Sequence, residues 1–351
     1  MLAQGYSHAR AQGYRAGESP LTSHGAGNRY ERHCFLPGTA LSCAPMTRSG
    51  LVLAVVAGLA LPQVSGKLLL AAGPPRGALA WPPAFAHSIP ERPAGAIGGA
   101  GFARRIAGLD GEKRAAAIVA EVSRGNIPEF LRNLQPVRLT ARAGGRRLAA
   151  TVWVMPDYLA VGADGDFVRV PVDLYAATAI ARAFGMALPT RKIVDSIYAQ
   201  SALRLQPQTM TPGPRMTSTD YFVTHNQRIE QQRAGRGLGT LIAGQKKDLV
   251  LTNRLFRQPS PRVAIYGWHQ AVGKPIQPLS TVHGATYADY SHGLRLIGGI
   301  VEVDGAPRSI FDLFEDPTLA RLLSFEGAIR VPPALLSEQP RPAATRMSSA
   351  Q

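Results

Sequence analysis

Cysteine is almost absent from this chain. Its 351 residues include two cysteines, Cys34 and Cys43, and both precede Met46. If translation begins at Met46, the mature protein has no thiol. A chain without thiols has no disulfide, no thiolate nucleophile and no cysteine-ligated metal. The enzyme classes that depend on a thiolate are therefore excluded.

Long apolar runs are also scarce. Residues 1–45 are rich in Gly, Ser, Arg and Ala without apolar periodicity, which is typical of a non-native or disordered leader. Met46 opens a short basic stretch, and residues 51–61 form an apolar run of signal-peptide length. Residues 46–86 therefore predict a signal peptide region, with an uncleaved anchor as the alternative. We expect a secreted or periplasmic protein without a membrane span after cleavage.

Acidic residues are few, at 23 against 39 lysines and arginines, so the formal net charge is +16. Such a protein is attracted to anionic surfaces, and for an exported chain we expect a cell-wall polymer or another anionic envelope component as partner. The sequence contains no nucleic-acid motif and no basic ladder interleaved with aromatic residues. Specific nucleic-acid binding is therefore not expected, and the sequence leaves the oligomeric state open.

The remaining chain predicts an α+β fold. It has N-terminal helices and short hairpins, then a mainly antiparallel C-terminal sheet with flanking helices, and these parts are segregated rather than alternating. Asp110, Asp173 and Thr190 are candidate helix N-caps, while Gly-rich or Asp-Gly turns separate short β-like runs. The predicted organisation is a linker at 87–108, one domain at 109–338 with a possible sub-boundary near 206–218, and a disordered tail at 339–351.

Residues 262–296 hold most of the side chains suited to chemistry. They contain three of the five histidines that follow residue 86, together with a carboxylate and a hydroxyl. The candidate catalytic residues are His269, His283, Asp289, Ser291 and His292. The candidate substrate-binding residues are His225, Lys246, Lys247, Tyr266, Trp268, Tyr290 and Arg295. Apolar walls with a few polar groups are typical of small-ligand sites.

Strand geometry limits how these groups can act. If residues 287–296 are extended, Asp289 and Ser291 lie on one face and His292 on the other, so Ser291 and His292 cannot form a nucleophile and base pair. A serine mechanism would need a more distant histidine as base. Zinc held by His269, His283 and His292 is a minority alternative, because their spacing matches no short metal motif. A site without a cofactor, using acid–base chemistry, is the leading prediction.

The order His283-Gly284, then Ser291-His292-Gly293 and Arg295, resembles the fingerprint of L,D-transpeptidases, exported enzymes that cross-link peptidoglycan through a cysteine. The resemblance implies a pocket role for His283, a base at His292 and a structural or substrate-binding role for Arg295. Leu294 stands where the family has its cysteine, so the family's covalent chemistry cannot run. More broadly, strings such as VAIYGWH and DYSHGLRL resemble a group of uncharacterised exported bacterial proteins.

Three functions remain open. The first is an exported hydrolase-like enzyme acting on an envelope-associated amide, ester or glycan. The second is a secreted carbohydrate- or peptide-binding module in which Tyr266, Trp268 and Tyr290 form a stacking platform. The third is a protein whose histidines only satisfy the core. An enzyme predicts His, Asp and Lys side chains converging on one site, whereas a binding module predicts an aromatic face open to solvent.

Overall fold

The computed structural model describes residues 89–332, and these contain seven α-helices and twelve β-strands. The helices are α1 Gly99–Ile106, α2 Gly111–Ser123, α3 Leu174–Ala183, α4 Arg191–Gln200, α5 Thr219–Arg233, α6 Ile310–Glu315 and α7 Ala320–Leu323. The strands are β1 Gln135–Ala143, β2 Arg146–Val154, β3 Ala160–Ala163, β4 Asp166–Arg169, β5 Leu203–Arg204, β6 Ile242–Ala243, β7 Lys247–Leu249, β8 Ile265–Ala271, β9 Lys274–Ser280, β10 His292–Gly293, β11 Ile297–Val303 and β12 Ala306–Ser309. The predicted α+β class is confirmed.

Two four-stranded sheets organise the domain. One has the order β1-β2-β11-β12 and is antiparallel throughout, so the C-terminal hairpin β11-β12 completes the sheet that the first hairpin begins. The other has the order β10-β7-β8-β9, in which only the pair of β10 and β7 is parallel. The pairs β3-β4 and β5-β6 are separate two-stranded sheets. The strands predicted near the C-terminus are thus shared between two sheets.

Helix starts follow the capping signals in the sequence. The side chains of Asp110, Asp173 and Thr190 accept backbone N–H bonds at the starts of α2, α3 and α4, as predicted. Ser218 caps α5, which begins at Thr219. Ser309 caps α6, and the helical segment that follows it is divided into α6 and α7. Pro317 lies between them, and it lacks a backbone N–H and disfavours helical conformation in the residue before it.

The linker prediction is wrong for part of its length. Within the predicted linker at 87–108, residues 99–106 form α1, whose Phe102 and Ile106 are fully buried in the core. A side chain at Gly99 would collide with the backbone of Phe167, so the small residues of this segment allow close packing against β4. The high Gly and Ala content of residues 99–106, which is also typical of linkers, therefore belongs to a tightly packed helix.

The possible boundary near residues 206–218 is not a domain boundary, and the predicted terminal segments are not described by the structure. The extended segment with Pro214–Thr217 as a 3-10 helix lies within the same structural unit as its flanks, so residues 206–218 do not divide the domain. The predicted leader, signal region and tail (1–45, 46–86 and 339–351) lie outside the described residues. Within residues 89–332, no helix combines the length and apolar character needed to cross a bilayer.

Two guanidinium groups lie inside the domain. Arg169 donates from Nε to Asp157 Oδ2 at 3.0 Å. Arg295 donates to the carbonyl oxygens of Met155 and Ile242 at 2.6 and 2.7 Å, and it stacks over the Tyr158 ring. Both arginines are at most 1% exposed. Arg295 therefore connects separate backbone segments in the core and does not reach a substrate, contrary to its predicted binding role.

Glycine at position 162 is required by close packing. Gly162 has φ +127°, and a Cβ there would overlap the carbonyl oxygen of Asp166. Gly165, in the turn of the same hairpin, has open space around it. We expect Gly162→Ala to lower the free energy of unfolding by more than about 1 kcal/mol, whereas Gly165→Ala changes it little. Urea denaturation of both variants tests this, and equal stabilities would contradict the assigned packing.

Candidate functional site

Three aromatic rings meet where the chain approaches β10. The His283 and Tyr287 rings stack, with centroids 4.1 Å apart and planes inclined by 13°. The His292 ring meets both, at 5.6 Å from the Tyr287 centroid and 6.1 Å from that of His283. His283 and Tyr287 are half-buried, whereas His292 is fully buried. Together with Asp289 and Ser291, these residues are named the histidine cluster.

Asp289 is the charged centre of the histidine cluster. Its Oδ1 accepts hydrogen bonds from the Ser291 amide at 2.8 Å and the Ser291 hydroxyl at 2.6 Å, and its Oδ2 accepts one from the Tyr287 hydroxyl at 3.1 Å. Burial works to raise the pKa of Asp289, but His292, the Ser291 bonds and Lys247 outweigh burial and hold the pKa below its usual value. The side chain is therefore a carboxylate at neutral pH.

The hydrogen bonds of Asp289 also decide the role of Ser291. The Ser291 hydroxyl is fully buried and donates to Asp289 rather than to a histidine. A nucleophilic serine needs a base that accepts its proton and an accessible oxygen. The arrangement therefore makes Ser291 a support for the carboxylate.

His292 is a neutral, unpaired imidazole. Its Nε2 lies 3.8 Å from Asp289 Oδ2, beyond hydrogen-bond length, and neither ring nitrogen has a hydrogen-bond partner among residues 89–332. Burial lowers the pKa of His292 to about 4, against the opposing pull of Asp289. Unpaired buried polar atoms are costly and uncommon in folded proteins, so this ring is a candidate for a functional group.

The expected strand at 287–296 is mostly absent, and this brings Asp289 to His292. Only residues 292–293 are β-strand, and the segment before them turns so that the His292 amide donates to the Asp289 carbonyl at 3.0 Å. The two side chains, expected on opposite faces of a strand, lie side by side. The tight turn with Asp289 as acceptor of the Ser291 amide explains the difference.

The parallel pairing of β10 with β7 adds lysine to the cluster. His292 is the register partner of Lys247, and the Lys247 amide donates to the Ser291 carbonyl at 2.8 Å. The half-buried Lys247 ammonium lies 4.9 Å from the centre of the Trp268 ring. Burial lowers the pKa of Lys247, and Asp289 partly opposes this shift. Lys247 therefore supplies positive charge beside Asp289 at the accessible side of the cluster.

Lys246 points the other way, into the core. Its Nζ donates to the Tyr290 carbonyl at 2.7 Å and lies 3.4 Å from His225 Nδ1. Burial, reinforced by the charge of Arg169, lowers the pKa of Lys246 to about 7. Burial and the charge of Lys246 also hold the pKa of His225 well below its usual value. These two residues, predicted to bind substrate, form a buried layer behind the cluster.

His269 belongs to a different set of contacts. Its Nε2 lies 3.0 Å from Asp195 Oδ1, which also accepts a hydrogen bond from the Tyr266 hydroxyl, and its ring stacks on Tyr198. The predicted convergence of three histidines is therefore reduced to His283 and His292. The three-histidine zinc arrangement is not formed, and no group of three or more His, Cys, Asp or Glu side chains in residues 89–332 is placed to hold a metal ion.

The aromatic platform of the alternative hypothesis is not present. Trp268, Tyr266 and Tyr290 are between 2% and 5% exposed. Their polar atoms are engaged inside the protein, with Trp268 Nε1 donating to the Gln245 carbonyl and the Tyr290 hydroxyl accepting from the Met210 amide. These rings pack as core, so the structure does not support stacking of a sugar or peptide on them.

Two residues of these contacts, Tyr287 and Asp195, have no recognisable signal in the sequence. The contact of Tyr287 with Asp289 depends on the turn between them. Asp195 lies on α4, distant in sequence from its partner His269 on β8, and no local pattern signals that contact.

Two cavities of the described region can be compared with the position of the histidine cluster. The smaller, about 200 Å³, is lined in part by Arg114, Thr217 and Tyr287, so it borders the histidine cluster. The larger, about 340 Å³, lies elsewhere and shares no lining residue with the cluster. The smaller of these two cavities therefore offers space for a ligand beside the cluster.

Comparison with known proteins finds no matching family model, no similar curated protein and no matching solved structure. The resemblance to L,D-transpeptidases therefore stays a prediction based on the motif.

The pKa of Lys246 can be measured directly. With ¹³Cε-labelled lysine, we expect one resonance to titrate near pH 7, because burial disfavours its ammonium form. The Lys246→Met variant should lose this resonance, whereas Lys274→Met, which removes a strand-end lysine, should keep it. Titration of every lysine near its ordinary value would contradict the burial of the Lys246 charge.

Burial of neutral His292 makes stability depend on pH. Its pKa falls from the usual 6.5 to about 4 on folding, so the unfolded chain binds more protons between these values. The His292 contribution is fully present above pH 6.5 and is lost as the pH falls towards 4. We expect His292→Gln to flatten the fall in unfolding free energy across that window.

Urea denaturation of wild type and His292→Gln at several pH values measures the slopes. Between pH 7 and 8 the two slopes should coincide, because His292 is already neutral there. An identical pH dependence of both proteins between pH 6.5 and 4 would contradict a neutral buried imidazole.

Proposed function

We propose that the histidine cluster is the acid–base centre of a hydrolase-like enzyme. The observation that carries the proposal is the convergence of the neutral, unpaired His292 and the half-buried His283 on the carboxylate of Asp289, with Lys247 beside them. Groups with opposed charges and shifted pKa values collected in one place are characteristic of catalytic sites. His269, by contrast, has the hydrogen-bonded environment of a structural residue.

His283 is the histidine that a substrate can reach. Burial lowers its pKa, although Asp289 opposes the shift, so the ring is neutral at neutral pH and can accept a proton. In the proposed reaction, His283 takes a proton from water as the water oxygen bonds to an acyl carbon. The proton then passes to the leaving nitrogen or oxygen as the acyl bond breaks. His292 and Asp289, which are more deeply buried, act as positioning residues.

Lys247 has the position and charge to stabilise the oxyanion that forms during acyl transfer. It is half-buried, and its low-dielectric surroundings strengthen its interaction with developing negative charge. The Trp268 ring, whose centre is 4.9 Å from the Lys247 ammonium group, restricts the positions that this group can take. A lysine held in this way loses less freedom when a charged intermediate binds.

The side chains favour an amide or ester over a glycan. Glycoside hydrolases ordinarily use two carboxyl groups on opposite sides of the scissile bond. The histidine cluster contains one carboxylate, Asp289, and it is held by three hydrogen bonds. The basic charge of the chain and its predicted export suggest an envelope-associated substrate, in a secreted or periplasmic setting.

We expect His283→Ala to reduce kcat/KM on an amide or ester substrate by about 100-fold or more, because a general base contributes on that order. Purified protein would first be screened against chromogenic esters, peptidoglycan-derived peptides and chromogenic glycosides. The pH dependence of kcat/KM for wild type should include a limb below the ordinary histidine pKa.

His269→Asn is the matched control, because it changes a buried histidine outside the cluster. Activity per mole of folded protein should fall with His283→Ala and remain near wild type with His269→Asn. Equal loss in both variants, or activity confined to glycosides, would overturn the proposal.

A further inference from the structure

The larger cavity, about 340 Å³, lies where four segments meet and is independent of the histidine cluster. The segments are the start of α4, the 3-10 helix Asn253–Arg257, the end of β9 and residues 324–326. It is named the cationic cavity. Its lining residues are Thr190, Arg191, Lys192, Asn253, Arg254, Arg257, Leu279, Ser324, Phe325 and Glu326. The volume lies within the range of small-molecule sites.

Positive charge dominates this cavity. Four of the lining side chains are basic, and one, Glu326, is acidic. The oxygens of Glu326 accept hydrogen bonds from the Thr252 hydroxyl at 2.6 Å and the Asn253 amide at 3.0 Å. The Glu326 carboxylate therefore supports the backbone of the cavity wall. Its single negative charge is smaller than the four positive charges of the other lining side chains, so the cavity is positive on balance.

Three of the four basic side chains are held in place without using all of their donors. Lys192 Nζ donates to the carbonyl oxygens of Thr140 and Arg321. Arg254 donates one hydrogen bond to the Leu279 carbonyl at 3.2 Å, and a guanidinium group has five N–H donors. Arg191 Nε is 4.0 Å from an Asp195 oxygen, and its guanidinium lies over the ring of Phe325. Donors from different segments remain available to one ligand.

The start of α4 belongs to the same wall through Thr190, Arg191 and Lys192. The Thr190 side chain caps the amide of Ile193, and the amides of Arg191 and Lys192 belong to the first helical turn, which has no intrahelical acceptor. The positive end of the helix dipole also favours an anion there. The helix start and the guanidinium groups of the 3-10 helix therefore favour the same kind of ligand.

We propose that the cationic cavity binds a small phosphate-bearing molecule, such as a phosphomonoester of sugar size. A phosphate group presents three oxygens in different directions, which matches donors arriving from separate segments, whereas a planar carboxylate is satisfied by one guanidinium fork. Phe325 is 63% exposed at the rim, and its ring offers an apolar surface for the carbon skeleton of the ligand.

The test is calorimetric titration of the full chain with glucose 6-phosphate and with inorganic phosphate, at ionic strength held constant with sodium chloride. We expect saturable binding of glucose 6-phosphate with a Kd below about 1 mM. The double variant Arg254→Gln/Arg257→Gln should weaken it by about tenfold or more, because charge-assisted hydrogen bonds to phosphate are lost. Both arginines are exposed, so the fold should survive the change.

The matched control is the double variant Arg138→Gln/Arg308→Gln, because it removes two positive charges from β1 and β12, which do not line the cavity. The affinity of this variant for glucose 6-phosphate should equal that of wild type. Absence of saturable binding by wild type, or equal weakening in the control, would overturn the proposal. Citrate binding as tightly as glucose 6-phosphate would overturn the preference for phosphate, and inorganic phosphate binding as tightly would overturn the role of Phe325.

Discussion

The burial of Arg295 is the constraint on which the centre of this structure depends. A guanidinium group without access to water is tolerable only when its charge and donors are satisfied. Arg295 meets most of this condition by bonding to carbonyl oxygens just after β2 and in β6 and by stacking on Tyr158, which in turn donates to Asp248 on β7. Its Nε has no hydrogen-bond partner among residues 89–332 and lies 4.0 Å from Asp248 Oδ1. One side chain thereby fixes three segments relative to β10, which carries His292 of the histidine cluster and pairs with β7.

The titratable groups near β10 and β7 have two levels of exposure. His283 and Lys247 are half-buried at the accessible side, whereas Asp289, His292, Lys246 and His225 are all buried, and Lys246 lies 3.4 Å from His225. Burial disfavours charge at the deeper imidazole and ammonium groups, while Asp289 remains ionised because donors surround it. The interior thus contains several titratable side chains, but fewer of them are charged than would be in water.

Local signals in the sequence were sufficient for much of the fold but not for the site. Side-chain caps such as Asp173 act within a few residues, so helix starts could be predicted, and turn chemistry identified the hairpins. The proximity of His283 and His292 was found because both lie in one short stretch. The position of His269 outside the cluster could not be predicted, because it depends on a contact with Asp195 from a helix distant in sequence. The prediction that Asp289 and His292 lie on opposite faces of a strand was wrong, because the chain turns at Asp289.

The two-residue pairing of β10 with β7 has a consequence for how this protein can vary. Neighbouring strand residues face opposite sides, so Lys246 is enclosed while its neighbour Lys247 reaches the cluster. Deleting a single residue just before β7 would exchange these environments and carry Asp248 away from Arg295. Length changes should therefore be far less tolerated between Gly244 and Leu249 than in the open Gly144-Gly145 turn, where added side chains meet no neighbouring atoms.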